Sequence, residues 1–374
     1  MKELLLVGGG HSHLAVLKSF GDAPAAGARL ALLCPSRHAF YSGMVPGVVA
    51  GHYRQGDCRI DLAALAERAA ARFLPDSAAG VDPARREVIT AGGERLRYDI
   101  LSLDIGSTVS GPGGAAEHAL PVRPVEAFLL GWERLREAAG RGEVRSIAVV
   151  GGGAAGVELL LAMQHRLSGA DVHFAVFSDS LLLQEHDEDV RRRMARILEE
   201  RKVAIHIGRK VVALGRNALR LQGGERFEAQ AAVWATGAQA PSWIAQSGLA
   251  TDARGFVAVS ETLQSTSHAE VFAAGDVATL IGAPSPKSGV FAVRQGPVLA
   301  RNLRRALAGE TPGPFRTSER SLALISCGGR YAVASWGRLF FEGEWVWRWK
   351  DRIDRRFVER YAIAEEPPPR KEGP

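Results

Sequence analysis

The strongest chemical signal in the chain is a glycine-rich turn that follows a short apolar run. Gly151-Gly152-Gly153-Ala154-Ala155-Gly156 has the full Gly-x-Gly-x-x-Gly spacing, and Glu158 follows two residues later. In this spacing the first glycine permits a tight turn, and the second lets the backbone approach a pyrophosphate at a helix N-terminus. The third glycine keeps helix and strand close. The pattern predicts a dinucleotide site formed by Gly151, Gly153 and Gly156.

A second, weaker signal of the same kind stands near the N-terminus. Gly8-x-Gly10-x-x-His13 begins like a dinucleotide turn, but His13 replaces the third glycine. Taken alone, this turn is either a dinucleotide site or a plain glycine-rich connection between strand and helix. We interpret it as a dinucleotide site because the complete motif occurs later in the chain.

The ribose end of the second site is irregular. An acidic residue about 20 positions after the glycines would bind the ribose hydroxyls of NADH. The strand after Gly156 ends in Phe177-Ser178-Asp179, so Ser178 stands at the expected acidic position and Asp179 stands one later. Asp179 suits NADH, whereas Ser178 could admit the 2′-phosphate of NADPH. The choice of nucleotide stays open, and Asp179 could also be a simple turn residue.

Each glycine turn needs a strand before it and a helix after it. Leu4 to Val7 and Ser146 to Val150 are the apolar runs that precede the turns, and helical patterns follow both. Two copies of one strand–turn–helix–strand unit predict an α/β fold with two Rossmann-like domains. Three more buried strands are predicted at 99–103, 231–234 and 271–274. The aromatic-rich stretch 322–361 predicts a small C-terminal α+β region.

Composition restricts the class of protein further. The chain has 374 residues and a net charge of +6, of which the segment from Trp345 to Tyr361 carries +3. A basic balance can favour nucleic acid, an anionic membrane surface or anionic ligands, and of these we expect no nucleic-acid partner. Cys34, Cys58 and Cys327 have neither zinc-site nor redox-pair spacing, so we expect no metal and a reducing, cytoplasmic setting. The N-terminus lacks a signal-peptide pattern, and no apolar run is long enough to span a bilayer.

A third motif resembles a known family. Ser265 to Asp276 resembles the second FAD signature of the pyridine nucleotide-disulfide oxidoreductase superfamily, and Ala235-Thr236-Gly237 resembles its ATG motif. Asp104-Ile105-Gly106-Ser107 looks like a divergent first copy of the ATG motif. The resemblance implies that Asp276 accepts a hydrogen bond from the ribityl chain of FAD. It also implies that Gly106, Gly237 and Gly275 let the backbone approach FAD.

Within this superfamily the chain looks most like the type II NADH dehydrogenase branch. It is most similar to the family fused N-terminally to selenophosphate synthetase. The segments that carry this likeness are Gly8 to His13, Tyr41 to Gly47, Lys287 to Pro297 and Trp349 to Arg355. The likeness implies further FAD contacts from His11, Ser12, His13, Tyr41, Ser42, Gly43, Met44, Phe291 and Ala292.

The same likeness implies three catalytic residues. Glu158 would face the nicotinamide, and Lys287 would lie near the flavin ring or the acceptor pocket. Gln295, expected at a helix start, would place the positive end of the helix dipole near the flavin. Cys34 and Pro35 stand where an acid would bind the FAD ribose. The likeness therefore assigns that contact to Ser36 or Arg37.

The predicted function is an FAD-dependent oxidoreductase that passes electrons from NADH or NADPH to a quinone or another small acceptor. The quinone motif Ala-Gln-x-Ala-x-x-Gln maps onto Gly289 to Gln295, where only Ala292 and Gln295 match. Two alternatives stay open. The chain could be a sulfur- or selenium-handling flavoenzyme that uses Cys327, or a flavin-binding interaction protein with weak NAD(P)H turnover.

The motifs predict a discontinuous domain order. Residues 1–112 and 232–312 would form the FAD-binding domain, and 113–231 the inserted NAD(P)-binding domain. Residues 313–364 would form a cap or interface region, and 365–374 a disordered tail. The stripe Trp345, Trp349, Ile353, Phe357 and Tyr361 lies among basic residues. It predicts either packing on the FAD domain or in a homodimer, or a peripheral contact with the inner face of the membrane.

Overall fold

The computed structural model describes residues 1–109, 118–283, 286–316, 322–337 and 339–363. Two five-stranded parallel sheets form its centre. Helices and smaller sheets surround them, which confirms the predicted α/β fold. The predicted disordered tail at 365–374 lies outside the described residues.

The first sheet contains the N-terminal glycine turn. Its interior strands are buried because apolar side chains fill them on both faces. Residues that leave the carboxyl ends of parallel strands meet at one edge of a sheet. Gly8, Asp104 and Ala274 therefore lie at a common edge. The strands, in spatial order and all parallel, are Val271–Ala273, Ile100–Leu103, Lys2–Val7, Ala28–Leu33 and Ala71–Leu74.

The second sheet contains the complete glycine turn. Its strands, in spatial order and all parallel, are Leu120–Pro121, Ala231–Trp234, Ser146–Val150, His173–Ser178 and Ala204–Ile207. The predicted boundary between residues 231 and 232 falls inside the strand Ala231–Trp234, which pairs along its whole length with Ser146–Val150. The second sheet therefore extends to Trp234, and the chain returns to the first sheet at Val271–Ala273.

A helix follows each glycine turn, as predicted. The His11–Asp22 helix packs against the Gly289–Ala308 helix, and Gly296 allows this close approach, since a Cβ there would lie 2.7 Å from that of Ala15. The helices of the described ranges are His11–Asp22, Val45–Ala50, Leu62–Arg68, Val125–Gly140, Ala154–Arg166, Glu188–Glu200, Gly289–Ala308 and Glu344–Tyr361. Single helical turns occupy Ser42–Met44, Gln55–Cys58, Ser242–Gln246 and Gly275–Val277.

Smaller sheets extend both units. Thr108–Val109 pairs with Ala238–Gln239, so the loops that contain Gly106 and Gly237 lie side by side. The other paired strands are His38–Phe40 with Arg59–Asp61, and Val257–Val259 with Ala278–Leu280. Two three-stranded sheets contain Ala78–Asp82, Glu87–Thr90 and Arg95–Arg97, and Val211–Gly215, Ala218–Leu221 and Arg226–Glu228.

The C-terminal region joins the two units. Its antiparallel strands are Leu322–Ser326, Ala332–Trp336 and Leu339–Gly343, and the Glu344–Tyr361 helix follows them. Ile325 and Val333 belong to the apolar core of the second unit, whereas Phe357 and Tyr361 belong to that of the first. The C-terminal part of the predicted aromatic stripe therefore packs on the first unit. Trp345, Trp349 and Ile353 remain exposed.

Candidate active site

The first glycine turn lies where the central strand of the first sheet meets the His11–Asp22 helix. Gly8 has a φ of +94°, and a Cβ there would lie 2.4 Å from the backbone carbonyl oxygen of Asp104. Only glycine fits this conformation and this contact. Gly10 donates its backbone N–H to the same carbonyl at 3.0 Å. The turn thus holds the helix N-terminus at the carboxyl edge of the sheet.

His13 fills the position of the missing third glycine. Its Nδ1 lies 2.6 Å from the Gly8 carbonyl oxygen, and its Nε2 lies 2.8 Å from the Ser102 hydroxyl. Since a carbonyl oxygen only accepts, Nδ1 carries the proton and Nε2 accepts from Ser102. Burial lowers the pKa of His13 to about 4, so the ring is neutral near pH 7. Both ring nitrogens are therefore used inside the protein, and His13 closes the turn.

Asp104 is a site residue that the sequence interpretation missed. It directly follows the strand Ile100–Leu103 beside Gly8, and the residue is 2% exposed. Its Oδ2 accepts hydrogen bonds from the backbone N–H groups of Ser12 at 2.8 Å and of His13 at 2.9 Å. Burial is the main cause that raises the pKa of Asp104 to about 7. The available signal was an acidic residue directly after a buried strand.

Asp276, which the resemblance assigned to FAD, lies beside this turn. Gly275 has a φ of +67°, and a Cβ there would lie 2.5 Å from Asp104 Oδ1. Asp276 Oδ2 accepts from the Ser107 hydroxyl at 3.3 Å and pairs with Arg123 at 2.9 Å. Arg123, which no sequence motif indicated, therefore brings a positive charge to the edge where two carboxyl groups meet.

Gln295 differs from its prediction. The helix begins at Gly289, so Gln295 lies in the second turn and not at the helix start. Ser288 is the extended residue before the helix, and no proline separates Gly289 from Gln295. Gln295 is buried, and its Oε1 accepts the Gly275 N–H at 2.7 Å. Of the other predicted residues on this helix, Phe291 is half-buried and Ala292 is buried.

Lys287 is held within the first unit. Its ammonium donates to the Ala278 carbonyl and, at 2.8 Å, to the Thr279 hydroxyl, and it lies 4.1 Å from the centre of the Phe256 ring. Burial lowers the pKa of Lys287 to about 8, although Asp252 and Asp276 raise it. Lys287 is therefore a partly buried, hydrogen-bonded group and not a solvated surface lysine.

The Tyr41 segment packs against the C-terminal helix. Tyr41 stacks on Phe357 with ring centres 4.2 Å apart, and the His11 ring meets Tyr41 edge-on. Burial lowers the pKa of His11 to about 4. His11 Nε2 is buried and has no hydrogen-bond partner among the described residues. Ser42 and Met44 follow in a single helical turn. This segment offers an aromatic wall and one unsatisfied nitrogen to a ligand.

The predicted ribose contacts of the first site have local partners. Ser36 donates its hydroxyl to the His38 carbonyl at 2.9 Å. Arg37 pairs with Asp61 at 2.9 Å, and its side chain is 65% exposed. Both residues follow the Ala28–Leu33 strand, so they lie at the correct edge of the sheet. To bind a ribose, the Arg37 guanidinium would have to hydrogen-bond to the ribose and to Asp61 at the same time.

The second glycine turn has the geometry that its spacing predicts. A Cβ at Gly151 would lie 2.3 Å from the Ala235 carbonyl oxygen, and one at Gly156 would lie 2.1 Å from that of Gly151. Neither position tolerates a side chain. A Cβ at Gly153, by contrast, would meet no atom of the described residues within 4 Å. The Ala154–Arg166 helix therefore begins at an open space suited to a pyrophosphate.

Ser178 and Asp179 point in different directions. Ser178 is buried, and a Cβ at Gly152 would lie 2.5 Å from its hydroxyl, whereas Asp179 is exposed. Arg209 donates its backbone N–H to the Ser178 carbonyl at 2.9 Å. Its guanidinium pairs with Glu225 at 2.7 Å. Arg209 is therefore the basic residue whose backbone lies beside Ser178 at the neighbouring strand end.

Glu158 connects the second unit to the C-terminal sheet. Its Oε1 accepts the Ser326 N–H at 2.8 Å. Burial raises the pKa of Glu158 to about 7, and Lys350 and the Ser326 N–H lower it. A carboxyl group with this pKa can gain and lose a proton near neutral pH.

Lys350 was named only as part of a motif, yet it lies at the centre of this cluster. Its ammonium is 2.7 Å from Asp354 Oδ2 and donates to the Gly43 carbonyl at 2.7 Å. Burial alone would lower the pKa of Lys350, but Asp354 and Glu158 outweigh it, so the pKa is raised. Burial and then Asp354 also raise the pKa of Tyr41. Groups from both units and the C-terminal helix therefore form one ionisable cluster.

The three cysteines have the properties of buried structural thiols. Burial raises the pKa of Cys34, of Cys58 to about 11, and of Cys327 to about 12. Reactive thiols need a lowered pKa, because the thiolate is the nucleophile. All three thiols are free and buried. This environment disfavours thiol chemistry at each of them.

The fold and this edge geometry define a class of protein. Two glycine turns lie at the carboxyl edges of two parallel sheets, and a cluster of ionisable groups lies between the units. The open space at Gly153 and the unsatisfied His11 nitrogen fit dinucleotide ligands. These features define an α/β protein of the class with two dinucleotide-binding domains.

A family model described as pyridine nucleotide-disulphide oxidoreductase matches residues 2–296, and the chain belongs to this family. The predicted superfamily is thus confirmed, and membership supports FAD and NAD(P)H as its cofactors.

The chain is also similar in sequence to individual proteins. The chain is 27% identical over 234 residues to an NADH dehydrogenase-like protein of Mycobacterium tuberculosis, covering 59% of this chain and 58% of that protein. It is 24% identical over 349 residues to a type II NADH:quinone oxidoreductase of Staphylococcus epidermidis, covering 85% and 86%. The match therefore spans little more than half of the mycobacterial relative.

A solved structure matches the whole fold. Sulfide:quinone oxidoreductase from Aquifex aeolicus superposes with a TM-score of 0.83 at 18% identity, covering 96% of this chain and 91% of that one. At this identity the likeness concerns the fold alone.

Proposed function

We propose that the protein is an FAD-dependent oxidoreductase that passes electrons from NADH or NADPH through the flavin to a quinone. The observation that carries the proposal is the pair of glycine turns on separate parallel sheets, with Glu158 and Lys350 at their junction. A quinone acceptor is supported by the S. epidermidis relative, which is named an NADH:quinone oxidoreductase.

The two nucleotides would use different units. We assign FAD to residues 1–112 and 235–312, NAD(P)H to the inserted unit up to Trp234, and a capping role to 313–364. FAD would lie against Gly8, Gly10, His11, Ser12, Ser36, Arg37, Tyr41, Ser42, Gly43, Met44, Gly106, Gly237, Gly275, Asp276, Phe291 and Ala292. NAD(P)H would lie against Gly151, Gly153, Gly156, Glu158, Ser178 and Asp179. Bound flavin supplies two-electron transfer between a nicotinamide and an acceptor.

Proton balance gives Glu158 and Lys350 their roles. NAD(P)H delivers one proton with its electron pair, and reduction of a quinone to a quinol consumes two protons. One further proton must come from solvent through the protein. Glu158, with its pKa raised to about 7, is suited to hold that proton. Lys350 holds a positive charge beside it and limits how far burial raises this pKa.

The experiment measures reduction of a short-chain quinone by NADH and NADPH with the FAD-loaded protein. Glu158→Gln should lower turnover at least about tenfold with unchanged FAD content, and it should remove the ionisation near neutral pH from the rate profile. Glu199→Gln, at an exposed position on the same unit, is the control. Wild-type rates and pH dependence in Glu158→Gln would refute its role. A protein that binds FAD but does not turn over would favour the interaction-protein alternative.

We further propose that an exposed aromatic surface binds an anionic membrane. We define it as the tips of the C-terminal strands and the start of the last helix. Its members are Trp336, Leu339, Phe340, Phe341, Trp345, Trp349 and Ile353, each at least 36% exposed. Exposed Arg348, Arg352, Arg355 and Arg356 lie on the same helix. Aromatic side chains with neighbouring arginines suit a headgroup interface. No helix in the described ranges is long and apolar enough to cross a bilayer.

The membrane proposal has a direct test. Flotation with vesicles that contain anionic lipid should recover the wild type, and Trp345→Ser with Trp349→Ser should lose most of this binding. Leu130→Ser, which changes an equally exposed leucine on the second unit, should still float. Equal flotation of both variants would contradict the proposal. A wild type that fails to float but elutes as a dimer would assign the surface to a homodimer.

The resemblance also implied a link to sulfur or selenium chemistry. The raised thiol pKa values do not favour it. Turnover that survives the combined change Cys58→Ala and Cys327→Ala would remove thiol chemistry at these positions.

A further inference from the structure

The two glycine turns differ at the point where a pyrophosphate should approach. At Gly153, a Cβ would meet no atom of the described residues within 4 Å. At the equivalent Gly10, a Cβ would lie 2.2 Å from Asp104 Oδ1. The second glycine of such a turn is where the backbone approaches the ligand. This space is therefore open in one turn and faces a carboxyl group in the other.

Asp104 also binds the helix N-terminus. Its Oδ2 accepts the N–H groups of Ser12 at 2.8 Å and of His13 at 2.9 Å. The first N–H groups of a helix have no partner within the helix, and together with the helix dipole they attract an anion. In this structure the buried Asp104 side chain accepts hydrogen bonds from two of these N–H groups, and the residue is only 2% exposed.

We propose that Asp104 controls FAD occupancy: FAD binds together with one proton that Asp104 takes up, so binding weakens as the pH rises. This inference rests on the proposed function, because it assigns FAD to the first turn. A pyrophosphate next to an ionised, buried carboxylate would place like charges at one helix end, where low solvent exposure gives little screening. A proton on Asp104 removes this repulsion and leaves a carbonyl oxygen that still accepts both N–H groups.

The surrounding charges indicate that Asp104 is the group whose protonation state changes when FAD binds. Burial, followed by the charge of Asp276, raises the pKa of Asp104 to about 7, against the lowering effect of the two N–H groups. Burial lowers the pKa of both His11 and His13 to about 4, so both rings are neutral near pH 7. Asp276 is held in an ion pair with Arg123 at 2.9 Å. Asp104 is thus the group whose protonation state FAD can alter.

The test measures FAD binding to the apoprotein by titration calorimetry. Experiments in two buffers with different ionisation enthalpies count the protons taken up. At about one pH unit above the pKa of Asp104, we expect close to one proton per FAD, and a Kd that weakens up to about tenfold per pH unit. Asp104→Asn should take up no proton and show a flat pH dependence. It should bind FAD about tenfold more tightly than the wild type at that pH.

The control is Asp99→Asn, at the other end of the same strand segment, where Asp99 accepts the Glu3 N–H at 2.7 Å. It should behave as the wild type. FAD binding without proton uptake in the wild type would overturn the inference and leave the proposed function intact. No FAD binding at any pH would overturn both. The wild-type proton count requires no variant, so it decides the matter even if Asp104→Asn does not fold.

Discussion

Replacement of Lys350 by methionine tests the ionisable cluster between the two units. Lys350 and Asp354 lie 2.7 Å apart, and their side chains are only 12% and 5% exposed. Removal of one partner of a buried ion pair costs about 3–5 kcal/mol, because the other charge stays buried and unpaired. We expect a loss near the lower limit, about 3 kcal/mol, since Lys350 keeps some contact with solvent.

Urea unfolding of Lys350→Met, Asp354→Asn and the double variant gives the coupling between the two side chains, which should be at least about 2 kcal/mol. Arg348→Met is the matched control on the same helix. Its pair with Glu344 is 71% and 52% exposed, and such surface pairs contribute less than about 1 kcal/mol. If Lys350→Met were no more destabilising than Arg348→Met, the assignment of a buried pair would be wrong.

The same variant has a functional consequence. Lys350 lowers the pKa of Glu158 against the effect of burial. Without Lys350 that pKa should rise above about 7, and the ionisation in the rate profile of quinone reduction should move to higher pH. A profile that stays in place would separate Lys350 from the proton-holding role of Glu158.

Three further predictions follow from single contacts. Gly156→Ala should lower the free energy of unfolding in urea by about 1–3 kcal/mol, because its Cβ would lie 2.1 Å from a carbonyl oxygen. Gly153→Ala should leave the free energy of unfolding unchanged, because its Cβ would meet no atom of the described residues. It should instead weaken NAD(P)H binding, measured by flavin reduction. Arg209→Glu should lower kcat/KM for NADPH at least about tenfold more than for NADH. The backbone of Arg209 lies beside Ser178, and an acid at this position would repel a 2′-phosphate there. An unchanged ratio would place the 2′-position elsewhere. The pKa of Asp104 is higher in the folded than in the unfolded protein, so the folded state loses stability as the pH rises between these two pKa values. Between about pH 5 and pH 8, the free energy of unfolding of the wild-type apoprotein should fall by about 2.5 kcal/mol more than that of Asp104→Asn. Equal losses in urea unfolding would refute the raised pKa.

The sequence predicted the features that depend on local spacing. Both glycine turns could be predicted, because φ values above zero and close backbone approaches require glycine. The strands that precede the turns and the helices that follow them could be predicted as well. Asp276 was indicated by the resemblance of 265–276 to an FAD signature. The C-terminal α+β region was indicated by its aromatic-rich sequence.

Contacts between distant segments could not be predicted from the sequence. Arg123 reaches Asp276 across more than 150 positions, and Arg209 reaches Ser178 through the pairing of neighbouring strand ends. Neither residue carries a local pattern. Asp104 was visible as an acid after a strand, but its contact with the helix N-terminus depends on strand order. Gln295 was misplaced because the exact start of a helix is weakly indicated by sequence, and here the helix begins six residues earlier, at Gly289.

The most direct test of the central claim is an anaerobic experiment on the two half-reactions. The FAD-loaded protein is mixed first with NADH or NADPH and then with a short-chain quinone, while flavin absorbance is recorded. We predict that one equivalent of at least one nucleotide bleaches the flavin and that one equivalent of quinone restores its absorbance. A flavin that neither nucleotide bleaches, or that bleaches and is not reoxidised by quinone, would contradict the proposed electron path.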